Sequence, residues 1–565
     1  MEGKKVTTGR VTVSGGNDRK AYGLPPELHR FFGNPGGHSL IVKGRAGTGK
    51  TTLVLQMLEE IFSGLDNFYL SSRVSDTALY KQFPWLLSKE RNERLIHASK
   101  RFLDSLDKTK EDELMPEAAE GADMDALLMT APPEPDEVRS AKALLKEFRL
   151  LNGSFPVAVD RTELSRVEGM FEPPEIETMS DEGEGFTQFH NLVVDFDSDL
   201  PEIERIYNRV ESQLPKQICV AIDSIEALAE KYGIPEGRII NMLHKDLVEN
   251  TNSYLVIVLE KFENLELDYY VDGVIRLEHS EVDGRAYREI AIQKLRGCET
   301  HHHRYLYTLA SGRLKAFGPY DIEFPGEGAT WTVPERRIKG RLSTGSPELD
   351  RILGGGLMEG AVNLLEVDKA VPTEAVQLFC MGPVLNAISA GNGVVWLPSR
   401  EFAPTHLSGL VNRYLGDMDA EGRMRVVDLY PTEMDTSDPY LLGVEGEPIG
   451  NYLKWDVMKF NFHDVTGPTL NIMSYDALES VSGKVVDDMR DYYTELRQSG
   501  NVDLTIARAS VRSTDRIADI AQQHLKLRKV HGALVLYGER PHTELMHFDL
   551  DDSEGVPRLS LTPIV

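Results

Sequence analysis

Residues Gly44–Thr51 spell GRAGTGKT, a complete GxxxxGK[ST] phosphate-binding loop, and its flanks narrow the fold further. The apolar run HSLIVKG (His38–Gly44) predicts a strand entering the loop, and TLVLQMLEEI (Thr52–Ile61) has helical spacing after it. In that order, backbone N–H groups and a helix N-terminus converge on a phosphate, and the glycines let the chain approach it closely. Gly44, Arg45, Ala46, Gly47, Thr48, Gly49, Lys50, Thr51 and Thr52 are therefore the expected nucleotide-binding residues. Lys50 is expected on the β- and γ-phosphates and the Thr51 hydroxyl on Mg²⁺.

Composition bounds the rest. A 565-residue chain with 41% hydrophobic residues has room for several folded cores. A formal net charge of −28 argues against a broad nucleic-acid surface, while leaving room for a local basic stripe. Cys219, Cys298 and Cys380 lie too far apart in sequence to indicate a disulfide framework or a zinc knuckle. The opening MEGKKVTTGRVTVSGG lacks an apolar signal core, and no run reaches membrane-spanning length. A cytoplasmic protein without a membrane partner is expected.

The chain repeats itself once. GLPPELHRFFGNPGGHSLIVKGRAGTGKTTLV from Gly23 and GSPELDRILGGGLMEGAVNLLEVDKAVPTEAV from Gly345 share an order. Each has Gly, Pro, Glu-Leu, Arg, an apolar pair, a glycine cluster, a strand and the loop position. Such an order indicates two copies of one fold.

The stretch STGSPELDRILGGGLMEGAVNLLE (Ser343–Glu366) resembles the opening of KaiC-type domains, a branch of the RecA/RadA P-loop ATPases. The N-terminal HRFFGNPGGHSLIVKGRAGTGKTT also resembles the P-loop domain of archaeal gas-vesicle regulatory proteins of the GvpD type. The resemblance covers both cores and implies an α/β fold. Two tandem RecA-like domains would each hold a mostly parallel sheet flanked by helices, with ATP and Mg²⁺ as ligands. The expected domains are 1–317, with an acidic insertion at about 103–190, a linker at 318–342, and a second domain at 343–565.

The second copy is expected to be degenerate. Aligning Gly360 with Gly37 puts Ala370, Pro372, Thr373 and Glu374 opposite Gly47, Gly49, Lys50 and Thr51. A carboxylate then stands where phosphate belongs. Its strand LNIMSYDALES carries Ser474 and Tyr475 where the first copy has Asp223 and Ser224.

In the first copy QICVAIDSIEAL (Gln217–Leu228) is an apolar strand ending at Asp223, like the family's Walker B. Its carboxylate is expected to order the Mg²⁺ shell, usually through water. The next strand, YLVIVLEKF, ends near Glu260, where the resemblance implies a γ-phosphate sensor; a plain surface residue is the alternative. The stretch Tyr269–Phe317 matches the closing strands of KaiC-like domains. By that resemblance Lys294 and Arg296 form the K-x-R pair that reaches a neighbouring subunit's nucleotide; the bland alternative is two surface cations. His301, His302 and His303 alternate faces on extended chain, so they are read as an exposed turn.

One departure bears on chemistry. KaiC-like ATPases carry an acidic pair after the second strand, and one glutamate activates water. Here Ser71, Ser72 and Arg73 stand there, and Pro398, Ser399 and Arg400 in the second copy. Losing such a base removes about 10²–10⁴-fold in rate. Glu226 or Glu260 are the candidate catalytic substitutes, and slow hydrolysis or none is expected.

The acidic stretch Phe102–Glu137 and the loop Val167–Phe186 read as solvated insertions, with Glu137–Leu151 resuming helical spacing. Arg336, Arg337, Lys339 and Arg341 in the linker are the clearest basic cluster. With the chain so acidic, a protein contact is favoured there over nucleic acid. The leading expectation is an ATP-binding regulatory switch with a protein partner, either a homo-oligomer or an intrachain pseudo-dimer. The alternative is a RadA-like accessory ATPase of DNA recombination or repair.

Overall fold

The computed structural model describes residues 23–71, 76–86, 157–159, 201–261, 265–326, 329–333, 338–418, 420–429, 439–443, 462, 465, 467–481 and 485–565. The chain forms two compact units. Of the described residues, the first comprises those up to His279, with Glu289–Arg304 and Leu309–Ala316; the second comprises those in Ser280–Arg288, Tyr305–Thr308 and Phe317–Val565.

The first sheet contains β1 (Ser39–Gly44), β2 (Asp66–Ser71), β3 (Val157–Val159), β4 (Ile218–Asp223), β5 (Tyr254–Leu259), β6 (Gly273–Val282), β7 (Arg285–Leu295), β8 (Arg304–Thr308) and β9 (Lys315–Phe317). Their order is β3-β2-β4-β5-β1-β6-β7-β8-β9, and every pairing from β3 through β6 is parallel. SLIVKG and YLVIVL are buried at every position. This is what a strand covered on both faces demands, and it explains why their sequences run apolar rather than alternate. One face packs Ile41, Val220, Ile222 and Ile257 against helical Leu228, Ile239, Ile240 and Leu243. The helix Lys50–Glu60 also contributes buried side chains, with Leu53, Val54 and Met57 inaccessible to solvent. Asp283 and Gly284, at φ 48° and 74°, make the two-residue turn from β6 to β7. Positive φ at both positions suits the twist of a tight hairpin.

The second sheet contains β12 (Val362–Val367), β13 (Val394–Leu397), β14 (Met424–Asp428), β15 (Leu441–Gly443), β16 (Leu470–Ser474), β17 (Val502–Arg508), β18 (Gln523–Val530), β19 (Ala533–Arg540), β20 (Met546–Asp551) and β21 (Arg558–Pro563), while β10 (Arg341–Leu342) and β11 (Leu357–Met358) form a separate pair. Its order is β15-β14-β13-β16-β17-β12-β18-β19-β20-β21. Apart from the extra edge strand β15, this repeats the first sheet position by position, with β12 in the place of β1, β16 of β4 and β17 of β5. His531 and Gly532, at φ 49° and 89°, remake the same tight turn between β18 and β19. The α/β class expected from the sequence is the one the chain adopts, with two mostly parallel sheets flanked by helices.

Candidate nucleotide site

β1 ends at Gly44 and the next helix starts at Lys50, so Arg45–Gly49 form the loop between them. Gly47 and Gly49 hold φ of 81° and 85°, a region L side chains rarely adopt. A Cβ on Gly44 would lie 2.6 Å from Thr48 Oγ1 and 2.8 Å from the Leu277 carbonyl oxygen. Glycine at these three positions is therefore a steric requirement of the loop. Thr48 Oγ1 donates to Arg45 O at 2.8 Å, tightening the turn. Lys50 is buried, and its Nζ donates to Gly44 O at 2.8 Å and Arg45 O at 3.0 Å. Its ammonium thus already lies against the loop backbone. Arg45, Ala46 and Gly47 face solvent, whereas Thr52 is buried in the first helical turn.

Thr51 and Asp223 meet directly: Thr51 Oγ1 donates to Asp223 Oδ2 at 2.6 Å. β4 delivers Asp223 to this end of the sheet, and β2 beside it pairs Ser71 with Asp223 in register. Two residues earlier on β2, Tyr69 OH donates to the same Oδ2 at 2.8 Å. Burial, then the Asp223 carboxylate, pushes the Tyr69 phenol well above its usual pKa, so it remains a donor. The peptide bond after Asp223 is cis. Tyr69 was not singled out in the sequence, because a tyrosine in an apolar strand has the pattern of a core residue and only the β2–β4 register reveals its partner.

Glu226 is buried, and one carboxylate oxygen accepts the Glu260 N–H and, at 2.9 Å, the Lys261 N–H. Glu226 therefore holds the chain as it leaves β5, with Glu260 the first residue beyond that strand. Lys294 Nζ donates to Asp268 O at 2.8 Å and Val271 O at 2.6 Å. Burial, then the Arg296 charge, holds this amine below its usual pKa. Arg296 pairs with Asp272 at 3.1 Å, and Asp272 Oδ2 accepts from Ser39 N at 3.1 Å and Ser39 Oγ at 3.0 Å. Ser39 begins β1 and the loop follows its end, so Arg296 lies a whole strand, roughly 17 Å, from its own phosphate loop.

The second unit has the same spacing without the same chemistry. β12 ends at Val367 and the helix starts at Thr373, so Thr373 stands where Lys50 does. Pro372, at φ −70°, replaces a glycine that requires φ near 85°, so the loop takes a different path. Val367 pairs with Arg508, which therefore occupies the position of Glu260. Arg508 is buried, donates to Val371 O at 3.2 Å and pairs with Glu401 at 3.0 Å. Glu401 also accepts from Thr373 Oγ1 at 3.0 Å. Glu374, opposite Thr51, is exposed, and Ser474, opposite Asp223, is buried. Ser399 Oγ and Arg400 N both donate to Asp476 Oδ2, at 2.6 and 3.1 Å.

Ser72, Arg73, the insertion at about 103–190 apart from the strand Val157–Val159, and Arg336 and Arg337 lie outside the described residues. His301, His302 and His303 are all exposed. Among the described residues, no helix is long and apolar enough to cross a membrane.

Three family descriptions match the chain in succession. "GvpD gas vesicle protein, P-loop domain" covers residues 28–114, the KaiC ATPase family residues 181–317, and "GvpD basic region 2" residues 333–565. Protein GvpD2 of Halobacterium salinarum is 26% identical over 559 residues, spanning 96% of each chain. Protein GvpD1 of the same organism is 23% identical over 607 residues, spanning 96% of this chain and 97% of the relative. This chain thus carries a GvpD-type P-loop domain followed by a KaiC-type ATPase domain, and it is similar to two GvpD proteins along nearly its whole length.

Proposed function

We propose that this chain is an ATP-binding regulatory protein of gas-vesicle systems, in which nucleotide occupancy of the first unit sets docking to a protein partner. The observation that carries this reading is the contrast between equivalent loops. One brings Lys50, Thr51 and Asp223 together around glycines at positive φ; the other has Pro372, Thr373 and the Arg508–Glu401 pair. The residues of the first loop fit a nucleotide polyphosphate with Mg²⁺. The Gly44–Thr48 approach leaves no space for a side chain, and a hydroxyl and a carboxylate share one hydrogen bond where a hard cation would take oxygen ligands. Mg²⁺ would neutralise phosphate charge; Thr51 would offer its oxygen, Asp223 would order the surrounding water, and Lys50 would exchange its carbonyl partners for phosphate oxygens.

The same reading assigns slow hydrolysis or none. β2 ends in Ser71, buried and in register with Asp223, where the KaiC-like pattern supplies a carboxylate. Glu226 commits one carboxylate oxygen to the backbone N–H groups of Glu260 and Lys261, and Glu260 stands at the tip of β5, so this reading favours Glu260 as the substitute. Arg296 pairs beside the start of β1 rather than at the loop that follows its end, and in this reading Lys294 and Arg296 serve a neighbouring copy's phosphates. The test is solution mass with and without ATP-Mg²⁺, paired with a turnover assay. Tight binding with turnover far below the ordinary range of about 1–10³ s⁻¹ is expected. Sustained hydrolysis within that range overturns the switch reading.

A further inference from the structure

In the connection from β5 to β6, the described residues 260–261 and 265–272 are anchored at both ends. Glu226 takes its first two N–H groups, and Asp272 at its far end holds Ser39 and pairs with Arg296. Between these lies the short helical turn Glu266–Tyr270. Leu267 is buried beneath it, the fully buried Lys43 pairs with Asp268, and Lys294 donates to the Asp268 and Val271 carbonyls. What this turn presents outward is apolar and aromatic: Leu265 is 63% exposed, Tyr269 82% and Tyr270 40%. Three of the six exposed large hydrophobics among the described residues thus fall within six positions, whereas scattered single ones would need no explanation.

The chemistry of this patch selects its occupant. Residues 260–272 contain Glu260, Glu263, Glu266, Asp268 and Asp272 against Lys261 alone, and Glu266 is exposed beside the tyrosines. A fitting ligand carries cations for the carboxylate and ring faces, with an aliphatic group for Leu265. In a chain of net charge −28, one stretch has that composition: Arg336-Arg337-Ile338-Lys339-Gly340-Arg341, four cations without an acid. Ile338 at its centre is itself 38% exposed, and Lys339 is exposed. We propose that the Leu265–Tyr269–Tyr270 patch docks residues 336–341 of a second copy of this chain. Arginine side chains lie over the tyrosine rings, Ile338 meets Leu265, and a basic residue pairs with Glu266. The turn's anchoring supports this, because a patch already held in place loses little conformational freedom on binding. The proposal does not depend on nucleotide binding.

Sedimentation of the full-length chain over a range of concentrations tests it. The wild type is expected to self-associate. Tyr269→Ala/Tyr270→Ala and Arg336→Glu/Arg337→Glu should each shift association to concentrations about tenfold higher or more. A synthetic peptide of residues 334–342 in excess should disperse the wild type, and a scrambled peptide of the same composition should not. Circular dichroism of each variant checks that it is folded, and Glu266→Lys, an exposed single change, supplies a second patch variant. A wild type that stays monomeric, patch variants that associate like it, or dispersal by the scrambled peptide overturns the proposal.

Discussion

Thr51 Oγ1 donates to Asp223 Oδ2 at 2.6 Å, joining the first turn of the phosphate-loop helix to the end of β4 across 172 residues of sequence. Thr51→Ala removes the oxygen offered to Mg²⁺, and Asp223→Asn removes the charge that orders the ion's water. Each should lower Mg²⁺-dependent ATP affinity about 10–100-fold while leaving the weaker metal-free binding nearly unchanged. Tyr69→Phe, which deletes only a donor to Asp223, should cost less than either. Titrations in Mg²⁺ and in EDTA check this; equal losses in both would mean that the pair supports the loop rather than the ion.

The placement of Arg296 a strand's length from its own loop predicts complementation between chains. Lys50→Ala and Arg296→Ala should each lose ATP-dependent assembly or residual hydrolysis. A mixture of the two should recover part of it, because one copy then supplies the loop and the other the cation. Absence of rescue, with the protein monomeric when ATP is bound, would refute action across a subunit boundary.

Asp503 predicts a pH dependence of the second unit. It is fully buried in β17, accepting from Tyr492 OH and Thr505 Oγ1, each at 2.7 Å. Burial raises its pKa from 3.8 to about 6, against the opposing effect of those two hydrogen bonds. Because the folded state holds this proton more tightly than the unfolded chain, the folded state is favoured at low pH by this group. That advantage is lost as pH rises from about 4 to about 6. Asp503→Asn cannot ionise. Its stability relative to wild type should therefore rise across this window, by about 1–3 kcal/mol at neutral pH. Thermal melts of both proteins between pH 4 and 7 check the sign; a gap that does not change with pH refutes it.

What the sequence makes legible here is what is local. The phosphate loop depends on glycines and a lysine within eight positions. Hydrophobic runs mark β1, β4 and β5 because buried parallel strands leave few polar positions. The repeat also survives as an order of short signatures, and the two sheets share their strand order accordingly. What register and long-range packing decide is not legible. Nothing near Tyr69 announces Asp223 as its partner. Arg508 is the seventh and last residue of a buried strand, and its role appears only when β17 aligns it with Val367. Glu226 presents as a carboxylate near a Walker B strand, yet one of its oxygens is engaged in holding the backbone that leaves β5. Lys43 looks like a surface lysine in sequence and is fully buried against Asp268.

Of the two equivalent loops, the one at Gly44–Thr51 alone is expected to bind nucleotide. Equilibrium titration of ATP-Mg²⁺ into the wild type, Lys50→Ala and Thr373→Ala tests it most directly, because stoichiometry and affinity come from one measurement. One ATP per chain is expected in the wild type, none in Lys50→Ala, and one of unchanged affinity in Thr373→Ala. Two ATP per chain, or binding that survives Lys50→Ala and is lost in Thr373→Ala, would contradict it.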